Sequence, residues 1–356
     1  MWIVICNYKS TQLTIDCLHT IEREIGDLPG VRVIICENGS GDDSAERLNA
    51  AIAEHEWSRW ASVKAIHPNR GFAGGNNAVL ADALKAPNPP DYLHLLNADT
   101  LLRPGALHAL MRELDQHPKI GVLGSRLEYP DESPQTACFH FHSPFSEFIR
   151  GAQTGPVTRI LRRFDVPIPD PRPDANLEWT SFASSVIRRS ALEEAGLLDE
   201  GYFLYFEDTD LCRRIHRAGW LIRHSSESRV VHLVGQSNPM MSLAKMRKPR
   251  PRYYYAARAR YFAKFYGRSG LWFANLMWLA GRCISKPREL LFRRRSHVCE
   301  REWSDLWTNW SDPLRPWPRS DEADANRKVD AASSNAGPTA IAASVREQEV
   351  TTVGTP

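Results

Sequence analysis

Short apolar runs alternate with segments of helical periodicity through the first half of the chain. This alternation constrains the fold more than any other feature, because strands separated by helices assemble into a parallel sheet with helices on its faces. Residues 2–6 form a continuous apolar run suited to a buried strand, and 11–25 follow with helical spacing. The next strand, 31–36, ends in the turn sequence Glu37-Asn38-Gly39-Ser40-Gly41-Asp42. A helix over 44–55, a strand over 63–66, a glycine-rich turn and a helix to about Lys85 come next. A strand over 92–96, a helix from near Pro104 and a strand over 120–124 complete the regular part. From Glu128 to Glu178 the pattern dissolves into Pro-rich and aromatic-rich sequence, which reads as loops lining a cleft. Order returns over 179–188, 190–195 and 208–218, the last helix being closed by Gly219.

With 356 residues, 42% of them hydrophobic, the chain can bury a full core and carry one large domain plus appendages. A net charge of +3, with acids and bases intermixed, argues against nucleic acid as the main partner. The exceptions are two basic runs near aromatic residues, Lys245, Arg247, Lys248, Arg250 and Arg252, and then Arg293, Arg294 and Arg295. The seven cysteines form no CxxC pair and lie mostly in apolar runs, as Cys6, Cys36 and Cys212 do. They read as reduced packing residues of a cytosolic protein. No charged leader with an apolar core precedes the first strand, so no secretory signal is read. No apolar run reaches the roughly 18 to 20 residues of a membrane-spanning helix. Residues 271–284, with Trp272 and Trp278 between Arg268, Arg282 and Lys286, have two readings: a segment lying in a bilayer interface, or an ordinary packed amphipathic helix. The sequence from about Ser320 has almost no large apolar residue and is expected to be disordered.

Ligands of open parallel sheets bind beyond the carboxyl ends of the strands, which gives weight to polar residues placed there. Glu37 is one, either a carboxylate for a base or ribose or simply part of a turn. The segment Asn69-Arg70-Gly71-Phe72-Ala73-Gly74-Gly75-Asn76-Asn77 has neither the P-loop ending nor GxGxxG spacing. Its glycines and the following helix either admit a diphosphate or form a turn and cap. In Leu95-Leu96-Asn97-Ala98-Asp99, two polar residues at i and i+2 end a buried strand. Asp99 either ligates a hard divalent cation, which needs oxygen donors, or begins a turn. The densest cluster is Phe203-Leu204-Tyr205-Phe206-Glu207-Asp208-Thr209-Asp210, where three carboxylates open a helix after an aromatic run. One acid there is explained as a cap, whereas three favour function. His232 stands alone in the short strand Val230-Val231-His232-Leu233 and gains interest only if that strand returns to the cleft.

Taken in order, these motifs resemble the family-two glycosyltransferases of the GT-A fold, and in particular their rhamnosyltransferase-like branch, over roughly residues 3–267. The resemblance implies an α/β, Rossmann-like nucleotide-diphospho-sugar transferase fold with a mainly parallel central sheet. It divides the chain into a GT-A domain over 1–267, a helical and membrane-associating extension over 268–319, and a disordered tail over 320–356. It also implies an inverting enzyme that moves a sugar, in the first instance L-rhamnose from dTDP-rhamnose, to a hydroxyl of a glycan or lipid-linked glycan in cell-surface polysaccharide synthesis. A UDP-hexose, UDP-hexosamine or UDP-galactofuranose donor is the alternative, and an inactive glycan-binding relative is another. By the same resemblance Glu37, Asn69, Gly71, Gly74, Gly75, Asn76 and Asn97 lie on the donor side, with Glu37 at the nucleotide base. Asp99 and His232 would hold Mg²⁺ or Mn²⁺, Asp208 would be the general base, and Trp179, Glu207 and Asp210 would lie on the acceptor side. The chain has Asn97 where many relatives carry an acid. The implied location is the cytoplasm, at the inner face of the plasma membrane. Chemically, one carboxylate for a cation and another for proton removal are what a single displacement needs. A helix N-terminus at Asp208 is expected to lower its pKa, with Glu207, Asp210 and the aromatic wall opposing that effect.

Overall fold

The computed structural model describes residues 1–318 apart from Asp27, Asp170, 173–176, 234–239 and Arg294. The tail expected to be disordered lies outside the described residues. The amino-terminal alternation yields β1 (Trp2–Asn7), α1 (Thr11–Glu24), β2 (Arg32–Asn38), α2 (Ser44–Glu54), β3 (Ala61–Ile66), α3 (Gly71–Lys85) and β4 (Tyr92–Asn97). β4 is followed at once by the short β5 (Thr100–Leu102), then by α4 (Ala106–Gln116) and β6 (Ile120–Glu128). All of these strands except β5 lie where an apolar run was read, extended by one to four residues into the sequence that follows or precedes it, whereas β5 was not read as a strand.

The stretch read as loops contains β7 (Cys138–Phe139), α5 (Pro144–Ala152), α6 (Gly155–Ile160) and β8 (Pro167–Ile168). The local reason for α5 is a capping box. Ser143 Oγ accepts from Ser146 N at 3.2 Å, Ser146 Oγ accepts from Ser143 N at 3.0 Å, and Pro144 opens the helix. The run 179–188 is two strands, β9 (Trp179–Thr180) and β10 (Ser184–Arg188). α7 (Arg189–Ala195), α8 (Glu207–Arg217), β11 (Leu221–His232), α9 (Met240–Lys245), α10 (Arg252–Leu291) and α11 (Glu302–Asp305) follow.

The main sheet has the order β3-β2-β1-β4-β10-β6-β11-β5, and β8-β7-β9 form a small second sheet. β1 pairs in parallel with β2 and β4, β2 with β3, and β6 with β11. β10 is antiparallel to both its neighbours, and β5 is antiparallel to β11. The sheet is therefore mainly parallel, as expected, with two reversed strands. One face is covered by an apolar layer that includes Leu18, Ile21, Leu48, Leu107 and Leu110 from α1, α2 and α4. The other is covered by Val79, Leu80, Leu192, Leu211 and Ile215 from α3, α7 and α8. Residues Met1–Trp317 form one compact unit.

Gly267, at φ +75° and ψ 173°, breaks α10 at the position proposed as the domain boundary. After the break the helix crosses α5 at very short range. A Cβ on Gly281 would meet Phe148 O at 2.4 Å and Ala152 N at 2.6 Å, and one on Gly151 would meet Trp278 O at 2.3 Å. These neighbours are backbone atoms, so no rotamer change relieves the overlap. Gly281→Ala is expected to destabilise the protein by about 1–3 kcal/mol, read as a lowered urea midpoint. Gly26→Ala, with nothing within 4 Å of the added carbon, should leave the midpoint unchanged.

A candidate active site at the carboxyl ends of the strands

Parallel register sets Asn7 of β1 beside Glu37 of β2, and Cys6 beside Asn97 of β4. The polar strand ends singled out in the sequence therefore share one edge of the sheet. The nearly buried Glu37 carboxylate accepts from Ser40 N at 2.8 Å and from Gly39 N at 3.3 Å. It fixes the turn after β2, which is one of its two sequence readings, and a nucleotide base would have to use its remaining lone pairs.

The glycine-rich turn serves packing. Asn69 Oδ1 accepts from Gly71 N at 2.8 Å, and Phe72 N donates to Phe203 O at 2.7 Å. The first two N–H groups that a diphosphate was expected to meet are thus taken within the protein. Gly71 has φ +69°, and a Cβ there would lie 2.2 Å from Phe203 O. One on Gly75 would lie 2.6 Å from Cys6 Sγ, and one on Gly74 2.6 Å from Arg70 Cβ. These residues let α3 close against β1 and the 203 segment. Asn76 is buried and donates to Phe72 O within the helix at 2.9 Å. Asn77, not assigned a role from sequence, donates to Leu198 O at 2.8 Å and accepts from Leu198 N at 3.1 Å, so it ties α3 to the segment leading to the acids.

Asp99 and His232 are brought together by pairing. β4 ends at Asn97, so strand alternation does not place Asp99. Instead β5 runs antiparallel to the end of β11, with Thr100 opposite His232, and Leu233 N donates to Asp99 O at 2.9 Å. His232 Nε2 then lies 3.6 Å from Oδ1 of the buried Asp99. Among the described residues no group of three or more His, Cys, Asp or Glu side chains gathers to hold a metal ion. The pair offers a cation one carboxylate and one imidazole.

The three acids of α8 have three different environments. Tyr205 and Phe206 both adopt left-handed backbone conformations, φ +74° and +67°, which turn the chain sharply into the helix. Such positions cost about 1–3 kcal/mol each and cluster at functional sites. Glu207 is nearly buried, and its Oε2 has no hydrogen-bond partner among the described residues. Burial and the adjacent Asp208 push its carboxyl well above the usual range. Asp208 keeps a partly exposed side chain and accepts from Thr209 N at 2.7 Å. Burial raises its pKa to about 6 against the hydrogen bonds from Thr209 and the Phe182 backbone, which lower it. Desolvation thus outweighs the lowering expected from the helix terminus. Asp210, expected on the acceptor side, is fully buried, with one oxygen on Arg214 Nε at 2.7 Å. The other accepts from Tyr202 Oη at 3.0 Å and Lys264 Nζ at 2.6 Å. A carboxylate so enclosed cannot reach an acceptor, and it anchors the helix instead.

The Phe182 N–H that faces Asp208 is one residue from Ala183, whose carbonyl accepts from Asn97 N at 2.9 Å. The acid cluster therefore sits against the end of β4. Trp179 stacks on Phe139 at 4.1 Å and donates its indole N–H to His140 O at 2.9 Å, so most of its surface is packed. His142 was not found from sequence. Its ring centroid lies 4.9 Å from Phe206 and 5.9 Å from Tyr261, and burial pushes its pKa down to about 4. Its only sequence signal is the alternation Phe139-His140-Phe141-His142.

A folded-state pKa of about 6 means Asp208 opposes folding once it ionises. Between about pH 4 and 6 the unfolded chain has already lost this proton and the folded chain has not, so stability falls as pH rises. Asp208→Asn should therefore gain stability relative to wild type from pH 4 to pH 6 and keep that gain above pH 6. Asp210→Asn should instead lose stability at pH 7.5, because it weakens the pairing of Arg214 and Lys264. Urea unfolding of both variants at pH 4.5 and 7.5 checks the two signs.

The sequence model of the family described as "Glycosyltransferase like family 2" matches residues 1–256. N-acetylglucosaminyl-diphospho-decaprenol L-rhamnosyltransferase of Mycobacterium tuberculosis is 28% identical over 281 residues, which cover 74% of this chain and 84% of that protein. Rhamnosyltransferase WbbL of Escherichia coli is 23% identical over 172 residues, covering 47% of this chain and 62% of WbbL. Among solved structures, the mannosyltransferase PcManGT from Pyrobaculum calidifontis, in complex with GDP-Man and Mn²⁺, superposes with a TM-score of 0.52 at 13% identity, covering 88% and 85% of the two chains. S. aureus TarS does so with 0.50 at 12% identity, covering 91% of this chain and 50% of TarS. The structural likenesses concern the fold. With the family match running over most of its length and through every motif from Glu37 to His232, the chain belongs to the family-two-like glycosyltransferases and has their GT-A fold.

Proposed function

We propose that this glycosyltransferase is an inverting enzyme that transfers L-rhamnose from dTDP-rhamnose to a hydroxyl of a lipid-linked glycan in cell-surface polysaccharide synthesis. The observation that carries the mechanism is the separation of two unlike acids at one sheet edge. Asp99 is buried beside His232, while Asp208 is partly exposed with a pKa of about 6. A single displacement needs a site for the leaving diphosphate and a base for the attacking hydroxyl, and these two acids are suited to different tasks. The names of the curated relatives, one of which acts on a diphospho-decaprenol-linked sugar, support the rhamnosyl donor and the lipid-linked acceptor.

Asp99 and His232, 3.6 Å apart, are the residues that would hold a divalent cation, with donor phosphate oxygens and water completing its oxygen-rich shell. Bound there, Mg²⁺ or Mn²⁺ supplies positive charge to the departing diphosphate. Asp208 is ionised at neutral pH, yet it is a stronger base than an ordinary carboxylate, and it takes the proton of the attacking hydroxyl. Glu37, Asn69, Gly71, Gly74, Gly75, Asn76 and Asn97 frame the donor side through the turn and helix packing described above. Glu207, Trp179 and the aromatic residues around His142 form the acceptor wall.

The helix after Gly267 supports contact with the inner face of an anionic membrane. Its inward face is built from small and packed residues such as Ala274, Trp278, Gly281 and Ser285. Its outward face carries Trp272, Phe273, Leu276, Ile284, Leu290 and Leu291, all exposed. Arg268, Lys286, Arg293 and Arg295 accompany them, and the only acid of the stretch, Glu289, is paired with Arg282 and His297. Apolar residues facing out among cations suit an interfacial helix. No helix among the described residues is long and apolar enough to cross a membrane.

Asp208→Asn is expected to lower transfer by roughly 10²- to 10⁴-fold with donor affinity retained. In the wild-type enzyme kcat/KM should fall below about pH 6 as Asp208 is protonated. Near-normal single-turnover transfer by the variant refutes the assignment. Excess EDTA should abolish activity, and Asp99→Ala should weaken metal-dependent donor binding; full activity in chelator refutes the cation site. A turnover screen over dTDP-rhamnose and UDP-sugars decides the donor. Flotation with anionic liposomes should recover the protein, and Trp272→Asp with Phe273→Asp should release it; retention in the soluble fraction at low salt refutes the membrane face.

A further inference from the structure

Gln135 lies in the connection between β6 and β7, and its backbone N–H donates to Leu127 O at 2.9 Å. Its side-chain Nε2 donates to two backbone carbonyls, Glu128 O at 3.1 Å and His232 O at 2.8 Å. That pair of carbonyls fixes the orientation of the amide, because a flipped amide would set its oxygen against both. The amide oxygen is therefore what faces His232 Nδ1, at 3.2 Å. An amide oxygen only accepts, so Nδ1 must carry the proton, and the lone pair of the neutral ring is left on Nε2.

The other end of the ring makes this choice consequential. Nε2 lies 3.6 Å from Asp99 Oδ1, beyond a hydrogen bond. With the proton on Nε2, the carboxylate would draw the imidazole into a direct N–H···O bond, and donor and acceptor would satisfy each other. With the proton held on Nδ1, they present two acceptor atoms to a shared space, which is what a cation requires.

We propose that Gln135 is a positioning residue that holds the His232 proton on Nδ1 and so keeps Nε2 available, beside Asp99, for a divalent cation. The inference rests on the reading of Asp99 and His232 as the cation site. Gln135 belongs to no motif in the sequence, and its role comes from three hydrogen bonds that only the fold assembles.

The test uses the full chain labelled with ¹⁵N-histidine and stripped of metal. Long-range ¹H–¹⁵N spectra at pH 8 report which ring nitrogen bears the proton, with His232 assigned by its loss in His232→Asn. The expected wild-type signature is the Nδ1-protonated tautomer. Gln135→Leu, which removes the acceptor facing Nδ1, should shift His232 to the Nε2-protonated form. In parallel, titration with Mn²⁺ alone, followed by electron paramagnetic resonance, should show affinity falling roughly 10- to 100-fold in Gln135→Leu. The resonances of His94, fully buried in β4, serve as the check that each variant is folded. An Nε2-protonated His232 in the wild type overturns the proposal, as does wild-type Mn²⁺ affinity in a folded Gln135→Leu. Mn²⁺ binding that is indifferent to His232→Asn, with the tautomers as expected, overturns the cation reading instead and leaves the hydrogen-bond assignment standing.

Discussion

The antiparallel pairing of β5 with the end of β11 is the constraint on which the site depends. Without it Asp99 is a turn residue after β4 and His232 a solitary histidine far along the chain. The pairing is clamped by a fully buried carboxylate. Glu128, at the end of β6, accepts from Arg103 Nε at 2.9 Å and from Arg229 Nε at 2.9 Å, and Arg103 N donates to Arg229 O at 3.0 Å. One carboxylate thus ties the segment after β5 to both β6 and β11. A buried charge left without its partners costs several kcal/mol, so the arrangement either forms whole or not at all. The same corner carries Gln135, whose amide spans the ends of β6 and β11.

Chemistry at the other half of the site is separated by burial. Glu207, Asp208 and Asp210 are near neighbours in sequence, but only Asp208 keeps both some exposure and an incompletely paired carboxylate. Asp210 belongs to a network that runs through Arg214, Lys264 and Asp199 to Arg260 and binds α8 to α10. This network holds the first turn of α8 in place against the strain of Tyr205 and Phe206, and so fixes where the Asp208 carboxylate points. α10 is thereby tied to the first turn of α8.

α10 combines a buried apolar face, which includes Phe262, Leu271 and Trp278, with buried polar groups. Fully buried Arg258 donates to Asn275 Oδ1 at 2.7 Å and to Glu147 Oε2 at 3.0 Å, while Trp272, Phe273 and Leu276 are exposed. Close approach through Gly151 and Gly281, together with the buried Arg258–Glu147 ion pair, adds to this apolar packing. Of the outward aromatics, Trp272 meets the Trp307 and Trp310 rings and Phe273 meets Phe145. α5, which receives this helix, begins two residues after His142.

Several features were legible in the residues alone. The period of the apolar runs marked strands β1 to β4 and β6 and the helices between them, because burial on both faces leaves a continuous apolar strand little choice of state. Polar residues at strand ends marked the ligand edge, since a parallel sheet can expose side chains to a ligand only there. The capping signal at Ser143, Pro144 and Ser146 is present in the residues, but the proline-rich sequence around it hides the periodicity of α5. What no window of sequence contained was long-range pairing. The reversal of β10, the meeting of Asp99 with His232, the support from Gln135 and the divergence of the three acids all depend on neighbours from distant parts of the chain. A pKa is set by desolvation and by charges that only the packed structure supplies, so the sequence could say that Asp208 is acidic, and the tertiary structure decided how strongly it holds its proton.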